Sequence, residues 1–98
     1  MDVNSLIEFG ITKTEAKIYL EILRIGETAI GNVIKRTGLH RGTVYNSINN
    51  LLKKGFLSFI DKDGVRYYKT SGEGIFETLI ESKEKVLVEE KNKIENFF

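Results

Sequence analysis

Polar side chains at helical spacing make residues 41–53 the part of this sequence best suited to bind a ligand. One face of a helix would carry Gly42, Asn46, Asn49 and Lys53, because they are spaced four, three and four residues apart. An exposed helix face usually carries Glu, Lys and Gln, whereas Asn and Gly disfavour helix. An Asn amide can bond both N6 and N7 of adenine, so this face could read A·T pairs in the major groove of DNA. The alternative is that these asparagines make no contact.

Several side chains around this stripe suit the sugar–phosphate backbone. Arg41, at the entrance of the predicted helix, could reach a phosphate or a guanine edge, and Thr43 offers a hydroxyl at the same depth. Tyr45 lies at the rim of the core-facing side, so its ring should pack while its hydroxyl reaches a phosphate. Lys53 suits a phosphate rather than a base. We predict that His40 is a turn or N-cap residue near a phosphate rather than a metal ligand.

The charge distribution points to the same region. Residues 28–60 contain no Asp or Glu, although charged residues make up 30% of the chain. Residues 30–69 carry eight basic and two acidic side chains, a net of +6, whereas residues 1–29 and 70–98 are net negative. The overall charge of +1 therefore conceals a basic middle, which is the pattern expected of a nucleic-acid-binding face. The alternative is a solvated basic surface without a partner.

A helix-turn-helix would position the stripe. One short apolar helical pattern begins at Thr28 or Ala29 and ends at Gly38. A second begins after three residues and ends at Gly55, and its core-facing side chains are Val44, Ile48 and Leu51. Two short helices joined by a tight turn that contains Gly are typical of a helix-turn-helix.

A β-hairpin should follow the second helix. The apolar period changes to two beyond Gly55, so residues 56–60 and 65–69 are predicted strands around an Asp-Gly turn. A hairpin directly after a helix-turn-helix is the wing of a winged helix. Lys62 and Arg66 flank its tip, where they could bind phosphates or enter an adjacent minor groove.

Two further helices should precede the motif. Residues 2–9 form a short apolar pattern with Val3, Leu6 and Ile7 on one side. The next helix begins with a capping box from Thr12 to Glu15, and Gly26 ends it. Its predicted core-facing residues are Ala16, Tyr19, Leu20 and Leu23. The predicted fold class is α+β, mostly α: a winged helix-turn-helix with a two-stranded wing and a long C-terminal helix.

The C-terminal segment has a helical pattern without a breaker. Apolar residues recur every seven positions at Ile80, Leu87 and Ile94, with Phe97 on a parallel row. We therefore expect residues 1–72 to be a DNA-binding domain and residues 73–98 to be a helix that forms a homodimer by coiled-coil pairing. Lys83 and Glu90 interrupt the seam, and a solvated helix is the alternative.

Composition argues against several classes of protein. With no cysteine, one histidine and no GxxxxGK[ST] phosphate loop, the chain has few ways to build a metal site or a nucleophile. We therefore expect no catalytic residue, no metal and no cofactor. No apolar run approaches the ~20 residues of a membrane span, so no membrane contact is expected. The lack of cysteine is typical of a reducing compartment, and we predict a cytoplasmic location.

The sequence resembles the TrmB-type winged-helix transcriptional regulators. The resemblance covers roughly residues 5–95 and is carried by FGITKTEAKIYL at 9–20, GLHRGTVY at 38–45 and KGFL at 54–57. Arg41, Val44, Tyr45 and Tyr68 fall on matching positions. The resemblance implies sequence-specific DNA binding by a dimer. Two departures limit it: regulators of this family often carry a C-terminal sugar-binding effector domain, so sugar sensing is not expected to carry over to this sequence, and His40 replaces a proline in the turn.

The combined interpretation is a double-stranded DNA-binding regulator of transcription. We expect a homodimer on an A·T-rich, two-fold symmetric operator, acting as a repressor by occlusion. One alternative is a winged helix that contacts another protein of the transcription machinery, although such an interface would favour aromatic anchors over Asn. A second alternative is an RNA-binding winged helix. The residues indicate no particular small-molecule effector.

Overall fold

The computed structural model describes residues 3–72, which form four helices and three strands. In chain order these are α1 (Val3–Ile7), α2 (Lys13–Ile25), β1 (Glu27–Ala29), α3 (Ile30–Thr37), α4 (Arg41–Lys53), β2 (Leu57–Lys62) and β3 (Val65–Thr70). The predicted class, a mostly helical α+β winged helix, is confirmed. No helix within these seven elements is long and apolar enough to cross a membrane.

The predicted helix over residues 73–98 lies outside the described residues. The same holds for the four residues assigned to dimerisation, which are Ile80, Leu87, Ile94 and Phe97. The proposed division of the chain into two domains therefore remains a prediction.

The sheet has one strand more than the predicted two-stranded wing. Strands β2 and β3 form the expected antiparallel hairpin, and its turn residues Asp63 and Gly64 have positive φ angles of 52° and 79°. The additional strand, β1, pairs antiparallel with β3, so the sheet order is β1-β3-β2. A strand of three residues is too short to show an alternating pattern, and this is why the sequence did not reveal it.

Helix α2 begins and ends as predicted. The Glu15 N–H donates to Thr12 Oγ1 at 3.1 Å, and the Thr12 N–H donates to Glu15 Oε1 at 2.9 Å, which completes the capping box. Gly26 follows the last turn with a φ of 99°, a conformation that side chains rarely adopt. The start and the end of α2 therefore follow from local chemistry.

The core lies where α2 meets α4 and the sheet. The rings of Tyr19 and Phe56 meet edge to face, with centroids 5.9 Å apart and planes at 82°. Val44, Ile48 and Leu51 of α4 are buried as predicted. The expectation that Leu23 faces the core was wrong, since this residue is 44% exposed; Ile7, from the apolar pattern of α1, is 41% exposed. In α2, the buried positions next to Tyr19 are instead Ile18 and Ile22.

Candidate nucleic-acid interface

The turn before α4 directs this helix across the surface. Gly38 has a left-handed φ of 67°, and its N–H donates to the Ile34 carbonyl at 3.0 Å, which ends α3. His40 is the N-cap of α4, as predicted: its Nδ1 accepts a hydrogen bond from the Gly42 N–H at 3.1 Å. The backbone of His40 has φ −60° and ψ 140°, angles that a proline would also adopt. Replacing the expected proline therefore leaves the geometry of the turn intact.

Helix α4 separates an inner face from an outer face. Val44, Ser47, Ile48 and Leu51 are buried and fix the rotation of the helix about its axis. All the residues of α4 to which we assigned DNA contacts are exposed: Arg41, Gly42, Thr43, Tyr45, Asn46, Asn49 and Lys53. The ring of Tyr45 is 42% exposed, which fits a position on the rim. The structure thus leaves the stripe accessible, and its contact with DNA stays a prediction.

Two cations stand at opposite ends of this outer face. Arg41 opens α4 and Lys53 closes it, so at about 1.5 Å per residue the two positions are about 18 Å apart. None of the ion pairs within residues 3–72 involves either residue. Both charges can therefore bind an anion without first breaking a bond inside this part of the protein.

The wing cations are held differently. Lys62 Nζ lies 3.0 Å from Glu27 Oε2 and 5.7 Å from the centroid of the Tyr67 ring. Arg66 Nε donates to Asp61 Oδ1 at 3.1 Å, and its guanidinium carbon lies 3.8 Å from the centroid of the Phe59 ring. The structure places Lys62 and Arg66 beside the tip of the wing, as predicted, but engages both in contacts within the protein.

The acid-free stretch of sequence is not free of acids in space. Three carboxylates from α2 and β1 reach cations of the basic middle: Glu15 pairs with Lys54, Glu21 with Arg36 and Glu27 with Lys62. These partners are between 15 and 39 residues apart in the chain, so charge counting along the sequence could not detect them. The surface charge therefore depends chiefly on the cations that have no such partner in residues 3–72: Lys35, Arg41, Lys53 and Lys69.

Lys54 belongs to the fold rather than to the outer face. Its ammonium donates to Glu15 Oε1 at 2.8 Å and to the Gly10 carbonyl at 3.1 Å. The Glu15 side chain is only 2% exposed. Burial opposes its ionisation, but hydrogen bonds from Lys54 and Thr12 and the attraction of the Lys54 charge prevail, so the pKa of Glu15 is lowered.

Comparisons with known proteins place this arrangement among regulators of transcription. The family profile described as "Sugar-specific transcriptional regulator TrmB" matches residues 6–71. The chain is 28% identical over 79 residues to the HTH-type sugar sensing transcriptional regulator TrmBL1 of Pyrococcus furiosus. That match covers 81% of this chain but 23% of the relative, so the chain spans about a quarter of that protein's length.

Two solved structures share the fold. The structure of TrmBL2, described as an archaeal chromatin protein with a novel mode of DNA binding, matches with a TM-score of 0.79 and 20% identity. The match covers 97% of this chain and 36% of the TrmBL2 chain. A possible transcriptional regulator from Methanosarcina mazei Go1 matches with a TM-score of 0.72 and 22% identity, covering 95% of this chain and 88% of that one.

Proposed function

Because the chain belongs to the TrmB family of transcriptional regulators, we propose that it binds specific sequences in double-stranded DNA and thereby regulates transcription. One observation chiefly supports this function: α4 presents a continuous exposed face that carries Asn46 and Asn49 between Arg41 and Lys53, two cations without an ion pair in residues 3–72. Sugar sensing is not part of this function, since the match to the sugar-sensing relative covers 23% of that protein.

Asn46 and Asn49 are the base-reading residues in this proposal. Asn46 lies in the N-terminal half of α4, the half of a recognition helix that sits deepest in the major groove. Its exposed amide suits the N6 and N7 edge of adenine, which predicts A·T pairs beneath it. Asn49 lies one turn further along the same face. At the entrance of α4, Gly42 permits a close approach to the DNA and Thr43 supplies a hydroxyl.

The phosphate contacts come from the rim of the same face. Arg41 and Lys53 are free of ion pairs within residues 3–72, and the exposed Tyr45 offers its hydroxyl as a further phosphate contact. Lys62 and Arg66 supply a second, weaker set of contacts from the wing. Contacts to phosphates position the protein, whereas contacts to base edges give it sequence preference.

We further propose that the protein acts as a homodimer and a repressor. The heptad residues Ile80, Leu87 and Ile94, with Phe97, suit pairing between two copies. A two-fold dimer would bind half-sites about 10–10.5 bp apart, or a multiple of that spacing. Occupation of such an operator would occlude a promoter.

Affinity measured against salt concentration tests the DNA-binding function. Duplexes selected from a random pool and mixed-sequence duplexes should both bind more weakly as salt rises, with a steep log–log slope from counterion release. Binding to a protein partner instead, with no salt-dependent affinity for duplex DNA, would support the rival interaction module. Competition with duplex RNA tests the second rival. A helix that reads the major groove of DNA cannot enter the deep, narrow major groove of A-form RNA, so duplex RNA should not displace the bound DNA.

A further inference from the structure

We propose that two carboxylates restrain the wing. Glu27 pairs with Lys62 and Asp61 pairs with Arg66, and each pair holds its cation back from DNA until a phosphate displaces the carboxylate. Helix α4 then supplies most of the affinity for any duplex. The wing adds to it only at sites whose backbone comes close enough to compete with the carboxylates. This inference rests on the proposed DNA binding and concerns the division of work within that interface.

The strand register shows the direction in which Lys62 is drawn back. Lys62 is paired with Val65, beside the tip of the hairpin, whereas Glu27 is paired with Lys69, four residues further along β3. At about 3.3 Å per residue, this offset amounts to roughly 13 Å along the strand. Strand β3 lies between the other two, so the Lys62 side chain crosses it over the Tyr67 ring to reach Glu27. Its ammonium is thus directed away from the tip.

Arg66 is restrained by two contacts at once. Asp61 is its direct cross-strand partner and accepts the Nε hydrogen at 3.1 Å, while the Phe59 ring lies under the guanidinium at 3.8 Å. A guanidinium held by both a carboxylate and a ring has few orientations, so it cannot extend towards a groove unless these contacts break. Each of the two wing cations is therefore held by a different carboxylate.

Both restraints are weak enough to be displaced. The Lys62 and Glu27 side chains are 54% and 35% exposed, and those of Arg66 and Asp61 are 48% and 60% exposed. Exposed ion pairs contribute little free energy, equivalent to an approximately 1.5- to 5-fold change in an equilibrium constant. A phosphate at the right position can therefore replace either carboxylate, and the restraint acts as a selective filter rather than a block.

A double-mutant cycle on the full chain tests the restraint. In binding to a mixed-sequence duplex, Glu27→Gln and Asp61→Asn should each raise affinity about 1.5- to 5-fold, the range set by exposed ion pairs. Each should also steepen the salt slope by about 0.9, since one more cation reaches a phosphate. Both gains should vanish when Glu27→Gln is combined with Lys62→Gln, and when Asp61→Asn is combined with Arg66→Gln.

Asp63→Asn is the matched control. Asp63 lies at the same tip, has no ion pair among the described residues, and has a φ of 52° that asparagine tolerates well. Its substitution removes one negative charge but frees no cation, so its effect should be the same with or without Lys62 and Arg66. The restraint is overturned if the gains from Glu27→Gln and Asp61→Asn equal the effect of this control, or if they persist in variants that lack Lys62 or Arg66. Either result would leave the proposed DNA binding standing. A wild-type chain that ignores duplex DNA would overturn both proposals.

Discussion

The ammonium of Lys54 bonds the nearly buried carboxylate of Glu15 at 2.8 Å, and this contact joins the end of α4 to the start of α2. The same carboxylate completes the capping box with Thr12, so one side chain serves both the start of a helix and the packing of two helices. The neighbouring Lys53 has no ion pair within residues 3–72. Two adjacent lysines therefore differ in their contacts within this part of the protein.

Lys54→Met should destabilise the fold and leave the salt dependence of DNA binding unchanged. Removing the cation leaves Glu15 buried without its partner, which should cost about 2 kcal/mol, below the range for fully buried pairs because Lys54 is partly exposed. Because the pKa of Glu15 is lowered in the folded state, this stabilisation is present above roughly pH 4.3 and is lost as the pH falls through the folded value. The unfolding temperature of the wild type should fall over that acidic range, and that of Lys54→Met should fall less.

Lys53→Ala should show the opposite pattern. The fold should keep its stability, while binding to every duplex weakens alike and the salt slope falls by about 1. Unfolding curves and salt titrations of the two lysine variants, measured side by side, separate the roles. A loss that depended on the DNA sequence would contradict a phosphate contact at Lys53.

Asn46→Ala should relax base preference. Loss of a bidentate amide contact to adenine should reduce discrimination at one A·T position by about 1–3 kcal/mol. The measurement is affinity for a selected duplex and for its single base-pair variants. Unchanged discrimination in Asn46→Ala would remove this residue from the interface.

Gly42→Ala should separate stability from function. A Cβ at this position would meet only the His40 ring, at 3.4 Å from Nδ1, which is an ordinary contact. Alanine favours helix over glycine by up to about 1 kcal/mol, so the fold should become slightly more stable. The added methyl group would stand between α4 and the DNA, and affinity should fall. A variant that gained stability and bound DNA as tightly as the wild type would show that no close approach occurs at Gly42.

Leu87→Lys tests the proposed dimer. A charge at the centre of the heptad row should prevent coiled-coil pairing, and light scattering should then give the mass of a monomer. Ser82→Lys adds the same charge outside the proposed row and should remain dimeric. A dimer that survived Leu87→Lys would place the interface elsewhere.

Local signals in the sequence were sufficient for most elements, and contacts between distant residues were not. The capping box, the Gly38 turn and the Asp-Gly hairpin follow from residues within a few positions of one another, and each is present in the structure. Leu23 fits the amphipathic pattern of α2, but the structure buries Ile18 and Ile22 beside Tyr19 and leaves Leu23 exposed.

The candidate site shows the same limit. Exposure of the α4 stripe follows from helical periodicity, because the opposite side of the helix carries Val44, Ile48 and Leu51. The pairing of Glu27 with Lys62 depends on strand β1, whose three residues carry no detectable period. Charge counted along the chain therefore overstated how many cations stand free.

Strand β1 passes directly into α3 at Ile30, so main-chain hydrogen bonds tie the hairpin to the first helix of the helix-turn-helix. On the proposed interface, the spacing between the major-groove contacts of α4 and the backbone contacts of the hairpin is thereby set before any duplex arrives. The two sets of contacts would therefore lie at a fixed distance from each other. Mismatch within a half-site would have to be absorbed by the duplex, so stiff and flexible base steps should be distinguished even where no side chain touches them.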